Sequence, residues 1–297
     1  MQIFQRRFSF FLSRGRVFIL LCFAIVPFTA YLQEPNNSAV QLPIGMNLSG
    51  IADWQNGYPF KNLMWGARPW LAKNIDGSGP FDTGMAEKIP LDSDGYPLEI
   101  PYKPENAEQA QIVFTIIPNR TEPGKYVVLY DGEGEIAGAM GTELLESSPG
   151  RVVIKLVCDK TIRYEEISIL RSQKGNHIRN IRILKESDEK ADLNENPFRE
   201  DFLDYCKQWR ALRFMDWAVT NNSFEKDWSK RKKPSFYTMV GTGGDAIGRG
   251  GKLPSEFRLR FSGGVAIEIM IQLANKVKVS PWFCMPHRAT EEYMTEF

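Results

Sequence analysis

Between residues 111 and 184 the chain repeats one pattern, a short β-branched or aromatic run followed by a turn cluster. The runs cover 111–117, 125–130, 151–157 and 165–170, and Pro118-Asn119, Asp131-Gly132 and Pro149-Gly150 lie between them. A further run, 177–184, alternates isoleucine with polar residues as a half-buried strand does. Strands of this length with turns at this spacing predict an antiparallel β-sandwich, assigned to residues 111–186. Residues 33–110 are rich in Pro, Gly, Asn and Asp and sustain no helical period, which predicts loops and short strands. Three tryptophans there, Trp54, Trp65 and Trp70, suit either a sugar-stacking surface or a staple onto the rest of the fold.

A charged stretch poor in apolar residues, 187–195, reads as a linker, and the rhythm changes after it. Asn196-Pro197 has the form of a helix start, and Phe198, Phe202, Tyr205, Cys206 and Trp209 recur at helical spacing. A buried strand over 211–217, a helix carrying Val265, Ile269, Leu273 and Val277, and a strand over 281–286 follow. Helix and strand in alternation predict parallel β/α units over residues 196–297. The fold class expected is therefore mixed, a sandwich followed by the first units of a TIM-type barrel. A complete barrel takes about 250 residues, and 196–297 supplies 102. The barrel would be incomplete, and its open strand edge would favour self-association. The helical stripe Ala289, Tyr293, Phe297 also stops in mid-pattern, which reads as a truncated or frameshifted product of a larger protein.

The N-terminus sets the compartment. Arg6, Arg7, Arg14 and Arg16 precede an uncharged apolar run at 17–32, which predicts a signal peptide over 1–32. The alternative is a retained membrane tether through 17–32, although the run is short of the roughly 20 apolar residues of a comfortable span. Either way the protein is expected to be secreted or periplasmic, free or anchored. A formal net charge of +1 provides no field for nucleic acid. Cys158, Cys206 and Cys284 are an odd set in apolar contexts and read as buried thiols.

Function in a β/α barrel gathers where strands end. By that rule Asp216, Trp217, Asn221, Asn222 and His287 are the candidate substrate-binding residues. A carboxylate, two amides, an imidazole and an indole suit a sugar, whose hydroxyls take donors and acceptors and whose faces stack on rings. The same residues also suit turn chemistry and a structural histidine, and the sequence leaves both readings open. His177 and His287 are the only histidines and offer neither metal-ligand spacing nor a triad, so no catalytic residue, metal or cofactor is assigned. The glycine cluster 241–251 lacks the Ser or Thr that would follow the lysine of a phosphate loop and reads as a flexible rim loop. The stretch 91–97 lacks the ligands of a calcium loop and reads as a tight turn.

The strings at 178–183, 196–198, 212–217, 220–222 and 281–287, with Asn47-Leu-Ser-Gly-Ile-Ala-Asp-Trp54 and Ala67-Arg-Pro-Trp70, give the chain a family likeness. It resembles exported bacterial cellulose-binding or glycoside-hydrolase-like proteins that join an N-terminal β module to a clan A-type barrel. The resemblance implies a polysaccharide or oligosaccharide partner. It also implies catalytic glutamates at the ends of the fourth and seventh barrel strands, positions the chain does not reach. Retaining hydrolysis needs two carboxyl groups about 5 Å apart, and no second rim carboxylate is apparent. The expected function is an exported carbohydrate-interacting protein without hydrolytic activity. The alternatives are a glycoside hydrolase and a structural or adhesion surface protein.

Overall fold

The computed structural model describes residues 42–118, 122–157, 164–221, 223–241 and 256–297. In chain order the strands are β1 (Leu42–Asn47), β2 (Leu71–Asn74), β3 (Gln111–Ile117), β4 (Gly124–Asp131), β5 (Gly134–Gly138), β6 (Thr142–Ser148), β7 (Arg151–Leu156), β8 (Glu165–Ser172), β9 (Arg179–Lys185), β10 (Trp209–Arg213) and β11 (Ser280–Trp282). The α-helices are α1 (Glu200–Lys207), α2 (Glu256–Leu259), α3 (Ile267–Val277) and α4 (Glu291–Glu296). Two four-stranded antiparallel sheets, ordered β2-β3-β8-β5 and β6-β7-β4-β9, occupy the middle of the chain. Val113, Ile117, Ile167 and Ile169 of one and Val128, Ile154, Leu156 and Ile183 of the other join a single hydrophobic cluster. Burying the apolar faces of both sheets in one cluster is the main stabilising term here.

Turn chemistry fixes the register. Pro149 and Gly150 link β6 to β7, and Gly150 takes φ +77°, a conformation that glycine adopts without a Cβ penalty. At Gly132, φ +92°, a Cβ would lie 2.0 Å from the His177 carbonyl oxygen, so no other residue fits. Residues 91–97 form the tight turn expected of them. The Asp92 carboxylate accepts from the backbone N–H groups of Asp94 and Tyr96, at 2.9 and 2.8 Å, and also meets His177 Nε2 at 2.7 Å.

The sandwich-plus-incomplete-TIM-barrel architecture is corrected by the third sheet. Among the described residues strand outweighs helix, eleven strands in three sheets against four α-helices, and no barrel is present. The third sheet is parallel and ordered β1-β10-β11. Residues 196–297 supply only β10 and β11; the remaining strand, β1, comes from before the antiparallel sheets. A barrel requires strand and crossover helix to repeat until the sheet closes, whereas this sheet ends at three strands.

Local interactions also move element boundaries. Helix α1 starts at Glu200 because Phe198 is drawn into a bridge with Phe60, with Lys61 N–H donating to Pro197 O at 2.8 Å and Arg199 N–H to Pro59 O at 2.9 Å. β10 ends at Arg213 because the chain then turns, with Ala218 N–H donating to Phe214 O and Thr220 N–H to Met215 O. Helix α3 buries Ile269, Leu273 and Val277, with Val265 buried just before it, so the predicted stripe faces the core. Lys278, in the left-handed conformation at φ 56°, ends it.

Aromatic side chains tie the irregular early segment to the later one. Trp70 stacks on Tyr237 with ring centroids 4.8 Å apart, and its Nε1–H donates to Gly95 O at 2.7 Å. The Tyr237 hydroxyl accepts from Trp70 N–H at 3.0 Å and donates to Arg68 O at 3.1 Å. Phe60, Phe198, Phe202, Phe214 and Trp217 form a second aromatic group beneath the parallel sheet's C-terminal end.

Candidate functional site

The site is built from one row of residues across the parallel sheet. Asn47, Arg213 and Trp282 are register partners on β1, β10 and β11, so their side chains share a face and span about 10 Å at ordinary strand spacing. The Arg213 guanidinium lies over the Trp282 ring at 4.8 Å. Trp282 itself is 57% exposed. Just past β10, Asp216 Oδ2 accepts from Asn47 Nδ2 at 2.7 Å. That bond orients both groups and leaves Asp216 Oδ1 and Asn47 Oδ1 to accept from other donors.

Backbone contacts hold this rim. Leu48 N–H donates to Arg213 O and Phe214 N–H to Trp282 O, both at 3.0 Å, extending the ladder past the strand ends. Val265 N–H donates to Trp217 O at 2.8 Å, and a Cβ on Gly264 would lie 1.8 Å from that oxygen. The close approach of these backbones admits only glycine at position 264. Beside Asn47 a cleft of about 380 Å³ runs between α1 and the loop after β1, lined in part by Ser49, Gln55, Tyr58, Asp201 and Tyr205. It has aromatic walls and polar groups on either side, the make-up of many small-ligand clefts. Trp54, 60% exposed, sits on the same loop, with the Arg68 guanidinium 5.4 Å from its ring centroid. Trp65 and Trp70 pack into or against the core instead.

Four of the five residues singled out in the sequence lie among the described residues. Asp216 is at the rim, paired with Asn47. Trp217 is 1% exposed and stacks on Phe202 at 6.0 Å, so it forms the floor beneath the rim and presents no free ring. Asn221 is exposed in the turn after Thr220. His287 is exposed, its Nδ1 3.1 Å and its backbone N–H 3.3 Å from Thr220 O. Asn222, Cys158 and residues 242–251 of the glycine cluster lie outside the described residues. The structure thus joins Asp216 to Asn47, Arg213 and Trp282, which sequence reasoning passed over. Arg213 and Trp282 lie inside the Leu-Arg-Phe-Met-Asp-Trp and Pro-Trp-Phe-Cys-Met-Pro-His strings, and strand alternation was the signal that could have turned them to one face.

Two other features lie apart from this rim. A cleft of about 670 Å³ between β9 and α3 is lined in part by Trp65, Tyr96, Arg182, Asp192 and Glu268. None of the sequence-predicted site residues lines it. Behind the rim, Glu225 Oε1 accepts from Lys232 N–H at 2.7 Å and its Oε2 from the Tyr293 hydroxyl at 3.1 Å. Lys232 Nζ donates to Val240 O at 2.9 Å. Burial brings the Lys232 amine down to about 7, against the pull of Glu225, and desolvation pushes the Glu225 carboxyl up. Among the described residues no group of three or more His, Cys, Asp or Glu side chains is arranged to hold a metal ion.

Comparison with protein-family models, with curated proteins and with solved structures finds no match to the chain.

Proposed function

We propose that this is an exported carbohydrate-binding protein that takes its ligand at the C-terminal end of the parallel sheet and does not hydrolyse it. The observation that carries the reading is the rim itself. A largely exposed indole lies in register with a guanidinium and with an amide bonded to a carboxylate. Rings that stack on pyranose faces and side-chain oxygens that accept from hydroxyls are the chemistry a sugar requires. The two strings that most carry the family resemblance, 212–217 and 281–287, are the ones that form β10, β11 and the turns after them. Export rests on the basic, then apolar, N-terminal sequence.

Silence toward glycosidic bonds rests on the rim chemistry. Asp216 is held by Asn47 at 2.7 Å, an arrangement that suits a fixed acceptor for hydroxyls. Affinity electrophoresis through gels containing single polysaccharides tests the reading. The full chain is expected to be retarded by at least one of them, and Trp282→Ala to run free while keeping its melting temperature, since an exposed ring contributes little to the core. Retardation that Trp282→Ala leaves unchanged would remove this face as the site. Release of reducing sugar that Asp216→Asn abolishes would convert the reading to a hydrolase.

A further inference from the structure

Within the carbohydrate-binding reading, on which it rests, we infer that the ligand is an acidic sugar whose uronate carboxylate sits on Arg213. Arg213 is on the central strand, between Asn47 and Trp282. Its Nε is buried and has no hydrogen-bond partner. Among the described residues no carboxylate oxygen lies within the 4.0 Å of an ion pair with it, and its guanidinium lies over the Trp282 ring. Other arginines have their charge met by carboxylates: Arg151 bonds to Glu189 and Glu146, Arg199 to Asp201, and Arg231, whose Nε is likewise buried without a partner, to Glu268.

A planar guanidinium matches a carboxylate with two parallel hydrogen bonds, whereas a sugar hydroxyl can meet one N–H and leaves the charge uncompensated. The other end of the row fixes the direction of binding. Asp216 would repel a carboxylate placed beside it, and the oxygens left open on Asp216 and Asn47 accept from hydroxyls. A uronate therefore lies with its hydroxyls toward Asn47 and Asp216 and its carboxyl toward Arg213, against the exposed indole. An acidic polypeptide could match the guanidinium but has no use for hydroxyl acceptors beside a stacking ring, so the face favours the sugar.

Titration calorimetry of the full chain at low salt, with oligogalacturonate and its carboxyl-reduced neutral counterpart, tests this. The acidic oligosaccharide is expected to bind at least about tenfold more tightly. Arg213→Gln is expected to remove that preference, so that the acidic oligosaccharide loses at least about tenfold more affinity than the neutral one. Arg213→Lys keeps the charge without the planar fork and should retain a weakened preference, which guards against a Gln variant that fails to fold. Equal binding of the two forms, indifferent to Arg213→Gln, overturns the uronate assignment and leaves the carbohydrate reading standing. Binding of neither form overturns the uronate assignment, and the carbohydrate reading falls with it only if no polysaccharide retards the chain. Poly-glutamate bound as tightly as oligogalacturonate, through Arg213, overturns both in favour of an acidic protein partner.

Discussion

The rim depends on single residues that do not substitute for one another. Asp216 is useful because Asn47 fixes it, and Asp216→Asn would place an amide opposite an amide at the same 2.7 Å contact. That change keeps a hydrogen bond and removes a charge. It should therefore weaken a neutral oligosaccharide by up to about 1.5–3 kcal/mol, the range for a hydrogen bond to a charged group, without changing the fold. A calorimetric titration of the two proteins checks it, and an unchanged affinity would place the ligand away from Asp216. Lys232 carries a different prediction. Burial brings its amine down to about 7 in the fold, from the ordinary 10.5. The unfolded chain then binds more protons between those values, so stability rises with pH across that window and the contribution is lost as pH falls to 7. Cys206, held up at about 12 by burial, works in the opposite sense only above its ordinary value of 9.0. Denaturant unfolding should show stability rising from pH 7 to 9, a rise that Lys232→Met removes. A wild-type profile matching the Met variant across that range would contradict the assignment.

At the scale of elements, the loop that carries the site is held by packing with no spare room. A methyl on Gly264 would meet the Trp217 carbonyl. Gly264→Ala should cost about 1–3 kcal/mol as an overpacked position and should also displace the turn that holds Asp216, so melting temperature and ligand affinity fall together. A variant that melts normally and binds normally would show that turn to be less constrained than its contacts imply. The same closeness explains what could be read from residues alone. β3, β7, β8 and β9 were legible because β-branched runs bounded by turn residues have few alternatives, and α3 because four apolar residues repeat at helical spacing. β1 was not legible, since Pro43 and Gly45 break its pattern and its partner β10 lies far along the chain. β6, largely exposed with Glu143 and Glu146 along it, has the charge of an edge strand and little of the alternation that would announce one. The parallel sheet was misread as the opening of a barrel for the same reason, because local rhythm shows helices and strands but not which distant strand completes a sheet. Asp216 was visible at a predicted strand end; Arg213 and Trp282 became site residues only once register placed them beside Asn47.

At the scale of the whole molecule, two antiparallel sheets and one small parallel sheet share a core through their aromatic contacts, and the candidate ligand face lies on the smallest of the three. Trp70 links residues on both sides of the antiparallel sheets, so Trp70→Ala should cost about 3–5 kcal/mol. Among the described residues no helix is long and apolar enough to cross a membrane. Export is tested by N-terminal sequencing of the exported fraction, which should begin between Tyr31 and Asn37; full-length chain confined to the cytosol would contradict it. The central claim concerns where the ligand sits. Hydrogen-exchange mass spectrometry of the full chain, with and without a saturating oligosaccharide that it binds, locates that directly. Protection is expected together at residues 44–58, 209–221 and 280–288, the three stretches that meet at the rim. Protection confined to the cleft between β9 and α3, or to the antiparallel sheets with these three stretches unchanged, would contradict it.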